Sequence, residues 1–212
     1  MIELNTICVE KNGKQILSNI DLHIEKGESI VLTGPSGAGK TSILRTMLGA
    51  MRVASGKGII GGIELNVNNI AAIRSQIAFI GQEPIMGAEF VKDSLLLPFS
   101  FIHNKNIKPS NDYIVELLNS VNLDQDILVK KSSDISGGEK QRIAIVRAIL
   151  QNKSIIFADE LTSSLDHASR KRVIDLLLRG EYTVVSISHD DVWIEHCSRI
   201  ISVLNGSIED KI

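Results

Sequence analysis

A chain of 212 residues is long enough for one ordinary domain that buries more than half of its unfolded surface, so its core needs no disulfide or metal staples. Its 23 basic and 25 acidic residues leave a net charge of −2 with no run of like charge, which argues against gripping a nucleic-acid backbone or an anionic lipid surface. No stretch approaches the ~20 apolar residues of a membrane span, the opening residues lack the apolar region of a secretion signal, and Cys8 and Cys197 have no metal or disulfide spacing, so the expectation is a cytoplasmic chain with two buried thiols and no direct membrane insertion.

Residues 2–9 alternate weakly and residues 16–24 carry Ile16, Leu17, Ile20, Leu22 and Ile24, a pattern that predicts short strands at the edge of a mixed sheet. Ser29-Ile30-Val31-Leu32-Thr33 reads as a buried strand running into Gly34-Pro35-Ser36-Gly37-Ala38-Gly39-Lys40-Thr41. Those eight residues match G-x-x-x-x-G-K-[ST], a pattern met by chance in about one chain of this length in a hundred. Glycines let the backbone curl until successive N–H groups point at phosphate oxygens, and the helix that follows presents its positive end to the same anion. Lys40 is predicted to reach the β- and γ-phosphates and the Thr41 hydroxyl to ligand Mg²⁺, with Ser42 closing the ATP-binding segment. An ordinary glycine turn would not require the Lys-Thr pair. Ile43, Leu44, Met47 and Leu48 then recur at helical spacing, with Gly49 as the stop. Kinases, GTPases and motor ATPases share such a loop, so by itself it does not select a function.

Residues 84–150 change texture and read as a helical insert: Pro109-Ser110-Asn111 is loop-like, and Ile114, Leu117, Leu118 and Val121 fall on one helical face. Near its end, Ser136 and Glu139 form an S-x-x-E capping box ahead of the apolar face Ile143, Val146, Ile149 and Leu150. Gly137 and Gly138 inside that first turn cost about 1 kcal/mol each relative to Ala, which points to something approaching the backbone closely, and a phosphate fits.

Parallel-sheet character returns in Ser154-Ile155-Ile156-Phe157-Ala158 and in Thr183-Val184-Val185-Ser186-Ile187, separated by the helical pattern Val173, Ile174, Leu176, Leu177 that Gly180 ends. Asp159 and Glu160 follow the first of these strands, where desolvated carboxylates are costly without a cation or donor. Strand alternation points the two in opposite directions, so that Asp159 is expected to hold Mg²⁺ and Glu160 to polarise an attacking water as general base. Residues 200–208 around Asn205-Gly206 read as a terminal hairpin.

Ile135-Ser136-Gly137-Gly138-Glu139 resembles the LSGGQ signature of ABC-type ATPases, and the rest of that family's pattern follows in order over nearly the whole chain. Gln82 resembles the glutamine that senses Mg²⁺ and the membrane partner. Ser163-Ser164-Leu165-Asp166 resembles the loop that crosses to the opposite subunit, and His189 the histidine that contacts the γ-phosphate. The resemblance implies an α/β fold: a P-loop NTPase core with a mixed, largely parallel sheet, an N-terminal antiparallel β subdomain and an inserted α-helical subdomain, all in one domain over residues 1–212. It also implies an ATPase with catalytic residues Glu160, His189 and Gln82 and metal-site residues Thr41, Gln82 and Asp159. ATP would lie between the phosphate loop of one protomer and the Ser136, Gly137, Gly138 and Glu139 helix start of another. The expected assembly is a head-to-tail homodimer, peripheral on the inner face of the cell membrane beneath an integral membrane transporter subunit, with no nucleic-acid partner.

Three positions depart from the family pattern. Lys11 stands where an aromatic ring usually stacks on adenine, which weakens base stacking; Leu161 replaces the usual Pro after the acidic pair; and Glu139 replaces Gln, a mild change in a first helical turn. Three of the five Phe fall between residues 90 and 101, and the region from Glu83 to Ile102 resembles the groove that receives a helix of the membrane protein; internal packing of the insert is the alternative. The competing functions are an ABC-type mechanical switch in DNA repair, chromosome organisation or translation, and a small-molecule kinase. The chain has neither the long coiled coil nor the paired motors of the first, and the second leaves Ser136–Glu139 and His189 without a role.

Overall fold

The computed structural model describes residues 1–102, 104–107 and 109–209; His103 and Lys108 of the expected helical insert, and residues 210–212 of the expected domain, lie outside the described residues. Two sheets organise the chain. The first contains β1 (Ile2–Lys11), β2 (Lys14–Ile24), β4 (Val53–Ile60) and β5 (Ile63–Glu64) in the order β2-β1-β4-β5, all antiparallel. Asn12 and Gly13, both with positive φ (52° and 73°), close the β1–β2 hairpin with the primed turn that suits twisted strands. Residues 2–24 therefore do not form short edge strands of the mixed sheet. They make two long strands of a separate sheet, because Ile2, Leu4, Ile7 and Val9 of β1 and Leu17, Ile20, Leu22 and Ile24 of β2 give that sheet a buried face of its own.

The second sheet has the order β10-β9-β3-β8-β7-β6, from β3 (Ser29–Thr33), β6 (Ile77–Ile80), β7 (Ile155–Asp159), β8 (Thr183–Ile187), β9 (Arg199–Leu204) and β10 (Ser207–Glu209). All its pairings are parallel except β9 with β10. Its central strands are buried on both faces, which is why they read as continuous apolar runs rather than alternations. Alternation still sorts their side chains between two cores. Ile30, Leu32, Phe157 and Val185 pack toward the antiparallel sheet and α1 (Lys40–Met47), while Val31, Ile156, Ala158 and Val184 pack toward the helices on the other side.

Those helices fill the chain between β6 and β7. After the short α2 (Ile70–Ser75), which precedes β6, come α3 (Val91–Leu96), α4 (Asn111–Ser120) and α5 (Gly137–Leu150), with 3₁₀ turns at Leu97–Ser100 and Gln125–Val129. α5 packs on β6, α3 and α4. Ser110 is the N-cap of α4, its hydroxyl accepting from the Tyr113 N–H at 3.2 Å, so Asn111 belongs to the helix rather than to the loop. α6 (His167–Leu177) and the short α7 (Asp191–His196) complete the second core; Trp193 of α7 is fully buried and donates to the Ser186 hydroxyl at 2.9 Å. The two cysteines are half-buried rather than buried, and neither forms a disulfide.

Candidate functional site

β3 ends at Thr33 and the chain turns through residues 34–39 into α1, so the phosphate-loop pattern sits between a buried strand and a helix start as its sequence requires. Gly34 has φ 134°, and a Cβ there would lie 2.1 Å from the Val203 carbonyl oxygen. The terminal hairpin braces the loop further: the Gly206 N–H donates to the Ala38 carbonyl at 2.8 Å, and its own carbonyl accepts from the Ser18 N–H at 2.8 Å. Asn205 and Gly206 were legible as a turn, but not as the support of this loop.

Lys40 is 7% exposed, and its ammonium donates to the Gly34 and Pro35 carbonyls at 2.6 and 3.0 Å. One of its three N–H groups is left for another acceptor. The N-cap of α1 is Gly39, which offers no side-chain acceptor, so the first N–H groups of the helix face outward without an internal cap. Positive charge and unclaimed donors therefore share one cavity of about 440 Å³, lined by Ser36, Gly37, Ala38, Gly39, Lys40, Thr41, Ser42, Gln82, Asp159, Glu160 and His189, together with Ile16 and Ile187. Sequence reading did not single out those last two apolar residues.

Asp159 and Glu160 do not part company by strand alternation. Asp159 ends β7, and Glu160 then adopts a left-handed backbone (φ 50°) that brings both carboxylates to the same cavity, at a cost on the order of 1 kcal/mol. The Glu160 N–H donates to the Ile187 carbonyl at 2.9 Å, and its own carbonyl accepts from the Ser163 N–H and hydroxyl at 3.2 and 3.0 Å, which hold the turn. Burial, then the neighbouring Glu160 charge, pushes the Asp159 carboxyl above its usual range. Gln82, just beyond β6, donates from Nε2 to the Glu160 carboxylate at 2.9 Å, and His189 Nε2 stands 4.0 Å from the other carboxylate oxygen. The residue after His189, Asp190, pairs with Arg170 of α6 at 2.8 Å, a contact that sequence reading missed.

The donor set fits a nucleoside triphosphate and its metal. Lys40 and the uncapped helix start match an anion, whereas the Thr41 hydroxyl, the Gln82 carboxamide oxygen and the crowded Asp159 carboxylate supply the hard oxygen donors that Mg²⁺ takes.

Ser136 caps α5 as expected: its hydroxyl accepts from the Glu139 N–H at 3.2 Å, and the Glu139 carboxylate accepts from the Ser136 N–H and hydroxyl, both at 2.8 Å. These bonds hold the Glu139 carboxyl below its ordinary range. The two glycines differ. A Cβ on Gly138 would lie 2.9 Å from the Ser164 carbonyl oxygen of the same chain, while one on Gly137 would meet open space. Ser136, Gly137, Gly138 and Glu139 do not line the cavity around Lys40, so the structure gathers the phosphate loop, Gln82, Asp159, Glu160 and His189 and leaves the α5 start apart. Arg142 ties that start to Asp166, the cap of α6, at 3.4 Å and to the Ser169 hydroxyl at 3.0 Å.

Lys11 lines a neighbouring cavity with Glu10, Ile16, Ser42, Arg45, Met51 and Arg52, and among the described residues no aromatic ring lines it. Leu161 is buried in the helical core, taking apolar contacts in place of a fixed φ. Of the apolar residues between Glu83 and Ile102, Met86 and Leu95 are internal, whereas Ile85, Phe90, Phe101 and Ile102 are exposed. No helix among the described residues is long and apolar enough to cross a membrane.

Residues 17–163 match the family model described as ABC transporter. Two curated relatives are similar across nearly the full chain. One is the energy-coupling factor transporter ATP-binding protein EcfA1 of Streptococcus mutans, 34% identical over 100% of this chain and 78% of the relative. Another is the bacitracin export ATP-binding protein BceA of Halalkalibacterium halodurans, 33% identical over 95% of this chain and 82% of the relative. Among solved structures, the dimeric ATP-binding cassette MJ0796 in a post-hydrolysis state bound to ADP and Pi superposes with a TM-score of 0.85, at 27% identity, covering 99% of this chain and 97% of that one.

Proposed function

The chain belongs to the ABC transporter family, and from that membership we propose that it is the subunit that binds and hydrolyses ATP to power transport by a separate membrane-spanning partner. Each ATP is held between two copies of the chain arranged head to tail. Residues 1–212 act as one ATP-binding domain whose helical insert spans residues 84–150. The observation that carries this reading is the single cavity that joins a buried Lys40 and an uncapped helix start to the hydrogen-bonded pair Gln82–Glu160.

Residues 34–42 grip the phosphates, with the free Lys40 N–H and the α1 amides as donors. Thr41 and Asp159, with Gln82 beside them, would hold Mg²⁺, which would supply positive charge to offset that developing on the terminal phosphate. Glu160, steadied by the Gln82 carboxamide and by its own left-handed turn, accepts the proton of the attacking water. His189, on the opposite side of that carboxylate, donates to the terminal phosphate. The Ser136–Glu139 helix start completes the site from the second copy, so closure of the dimer depends on bound nucleotide. The exposed Ile85, Phe90, Phe101 and Ile102 form the surface that meets the membrane partner, and that contact places the chain on the cytoplasmic face of the membrane.

Glu160→Gln tests the reading. The variant is expected to bind ATP, to lose hydrolysis and to run as a stable dimer in size-exclusion chromatography with ATP. Normal turnover by this variant overturns the assignment.

A further inference from the structure

Arg147 lies in the last turn of α5, and its half-buried guanidinium reaches the backbone that follows Gln82. Nη2 donates to the Ile85 carbonyl at 2.9 Å, and Nη1 to the Met86 carbonyl at 3.2 Å and the Ser94 hydroxyl oxygen at 3.3 Å. Ser94 of α3, fully buried, donates in turn to the Met86 carbonyl at 2.5 Å. Among the described residues no carboxylate pairs with Arg147. A partly desolvated cation is thus held by neutral carbonyl and hydroxyl dipoles, and burial pushes its pKa down. Keeping a charge there is costly, and a planar fork that bridges two successive carbonyls of one loop is the arrangement that offsets the cost.

Among the described residues the loop it grips has few other anchors near Gln82. Ile80, paired with Ala158, fixes it on the sheet side two residues before Gln82. Arg147 fixes it three residues after. Between these two points the Gln82 carboxamide reaches the Glu160 carboxylate. The same arginine stands eleven residues along α5 from Ser136, a span of about 16 Å at the helical rise per residue.

We propose that Arg147 is a positioning residue that fixes the loop after Gln82 so that the Gln82 carboxamide reaches Glu160, and that makes α5 the rod linking this loop to the Ser136 helix start. The inference rests on the roles given above to Gln82 and Glu160. Charge alone does not meet the requirement, because a lysine in this position is a point donor and cannot hold the two carbonyls in register.

Steady-state ATP hydrolysis by the full chain tests it with Arg147→Met, Arg147→Lys, Gln82→Ala and the double variant Arg147→Met/Gln82→Ala. Loss of the charge-assisted bonds to the loop is expected to lower kcat about tenfold while KM for ATP changes less than about twofold, with Lys recovering only part of the loss. The double variant is expected to be no slower than the slower single variant, because both changes act through one contact. Effects that multiply, or a kcat for Arg147→Met within about twofold of the parent chain, overturn the inference. Should Arg147→Met fail to fold, Ser94→Ala enters the same cycle with an expected loss of about threefold, and multiplication there is equally fatal. An inactive parent chain, or a Glu160→Gln variant that keeps turnover, defeats the functional reading instead.

Discussion

Gly137→Ala separates what α5 needs in order to fold from what it needs in order to act. Gly137 is the first residue of the helix, its φ is not positive, and a Cβ there meets nothing within 4 Å. Replacing a helical glycine with alanine under those conditions removes backbone entropy from the unfolded chain and stabilises the fold by about 0.5–1 kcal/mol. For a chain of this length that corresponds to a rise in Tm of about 1–4 °C, readable by thermal unfolding without nucleotide. Gly138→Ala is the control, because its Cβ would press at 2.9 Å on the Ser164 carbonyl, and it is expected to lower Tm. If the space outside Gly137 is where a nucleotide held by a second copy comes close, the stabilised Gly137→Ala chain loses ATP hydrolysis and nucleotide-dependent dimerisation. A variant that gains stability and keeps parental turnover refutes the approach of phosphate to this helix start.

Asp159→Asn is expected to raise Tm at neutral pH while abolishing Mg²⁺-dependent hydrolysis. Burial and Glu160 raise the Asp159 pKa above 3.8, so the native chain binds the proton more tightly than the unfolded one; that preference stabilises the fold below the unfolded pKa and is lost as pH rises through the folded pKa. The Tm gap between the variant and the parent should therefore widen from pH 4 upward, and a gap that does not change with pH contradicts this account. Lys11→Trp supplies the missing ring to the cavity beside Ser42, and a stacking gain of about 1 kcal/mol should lower KM for ATP several-fold, measured against the parent chain; an unchanged KM places the base elsewhere. Burial pushes the Cys197 thiol up to about 11, so brief alkylation at pH 8 followed by peptide mass analysis should leave Cys197 unmodified in the native chain, and modification within minutes argues against that burial.

The strands that sequence patterns identified most completely are those with a continuous apolar run. Ser29–Thr33, Ile155–Asp159 and Thr183–Ile187 are apolar throughout because both of their faces are covered. β4 escaped notice because Ser55-Gly56-Lys57-Gly58 has the composition of a turn, and it is a strand only through pairing with β1; at Gly56 a Cβ would lie 2.4 Å from the Thr6 carbonyl. α2, six residues with no side-chain cap, has too little periodicity to register. Within the candidate site, spacing revealed which residues carry chemistry and not how they are held. The Glu160 N–H bond to the Ile187 carbonyl, the Gly206 brace on the phosphate loop and the Arg170–Asp190 pair beside His189 each join segments far apart in sequence, and no local pattern encodes such contacts.

The two helix starts of the candidate site make complementary demands. α1 has no side-chain cap, so its free amides and Lys40 call for an anion from outside, and the carboxylates across the cavity then call for a cation. α5 is capped internally, and what it leaves open is the backbone at Gly137, on a surface that does not reach that cavity. Under the proposed function, one copy of the chain carries two half-sites that its own fold keeps apart. In the proposed assembly a two-fold axis would bring each copy's α5 start to the other's phosphate loop and form two equivalent sites at once, whereas any heterologous pairing would leave one of each unmatched. The Ser136 hydroxyl already donates to Glu139, so it can turn to a phosphate only by releasing that carboxylate. On this reading, engagement of the second copy is an exchange of hydrogen bonds rather than a net gain. In the proposed assembly closure would then draw its driving force from the phosphates, and it would weaken once the terminal phosphate has left.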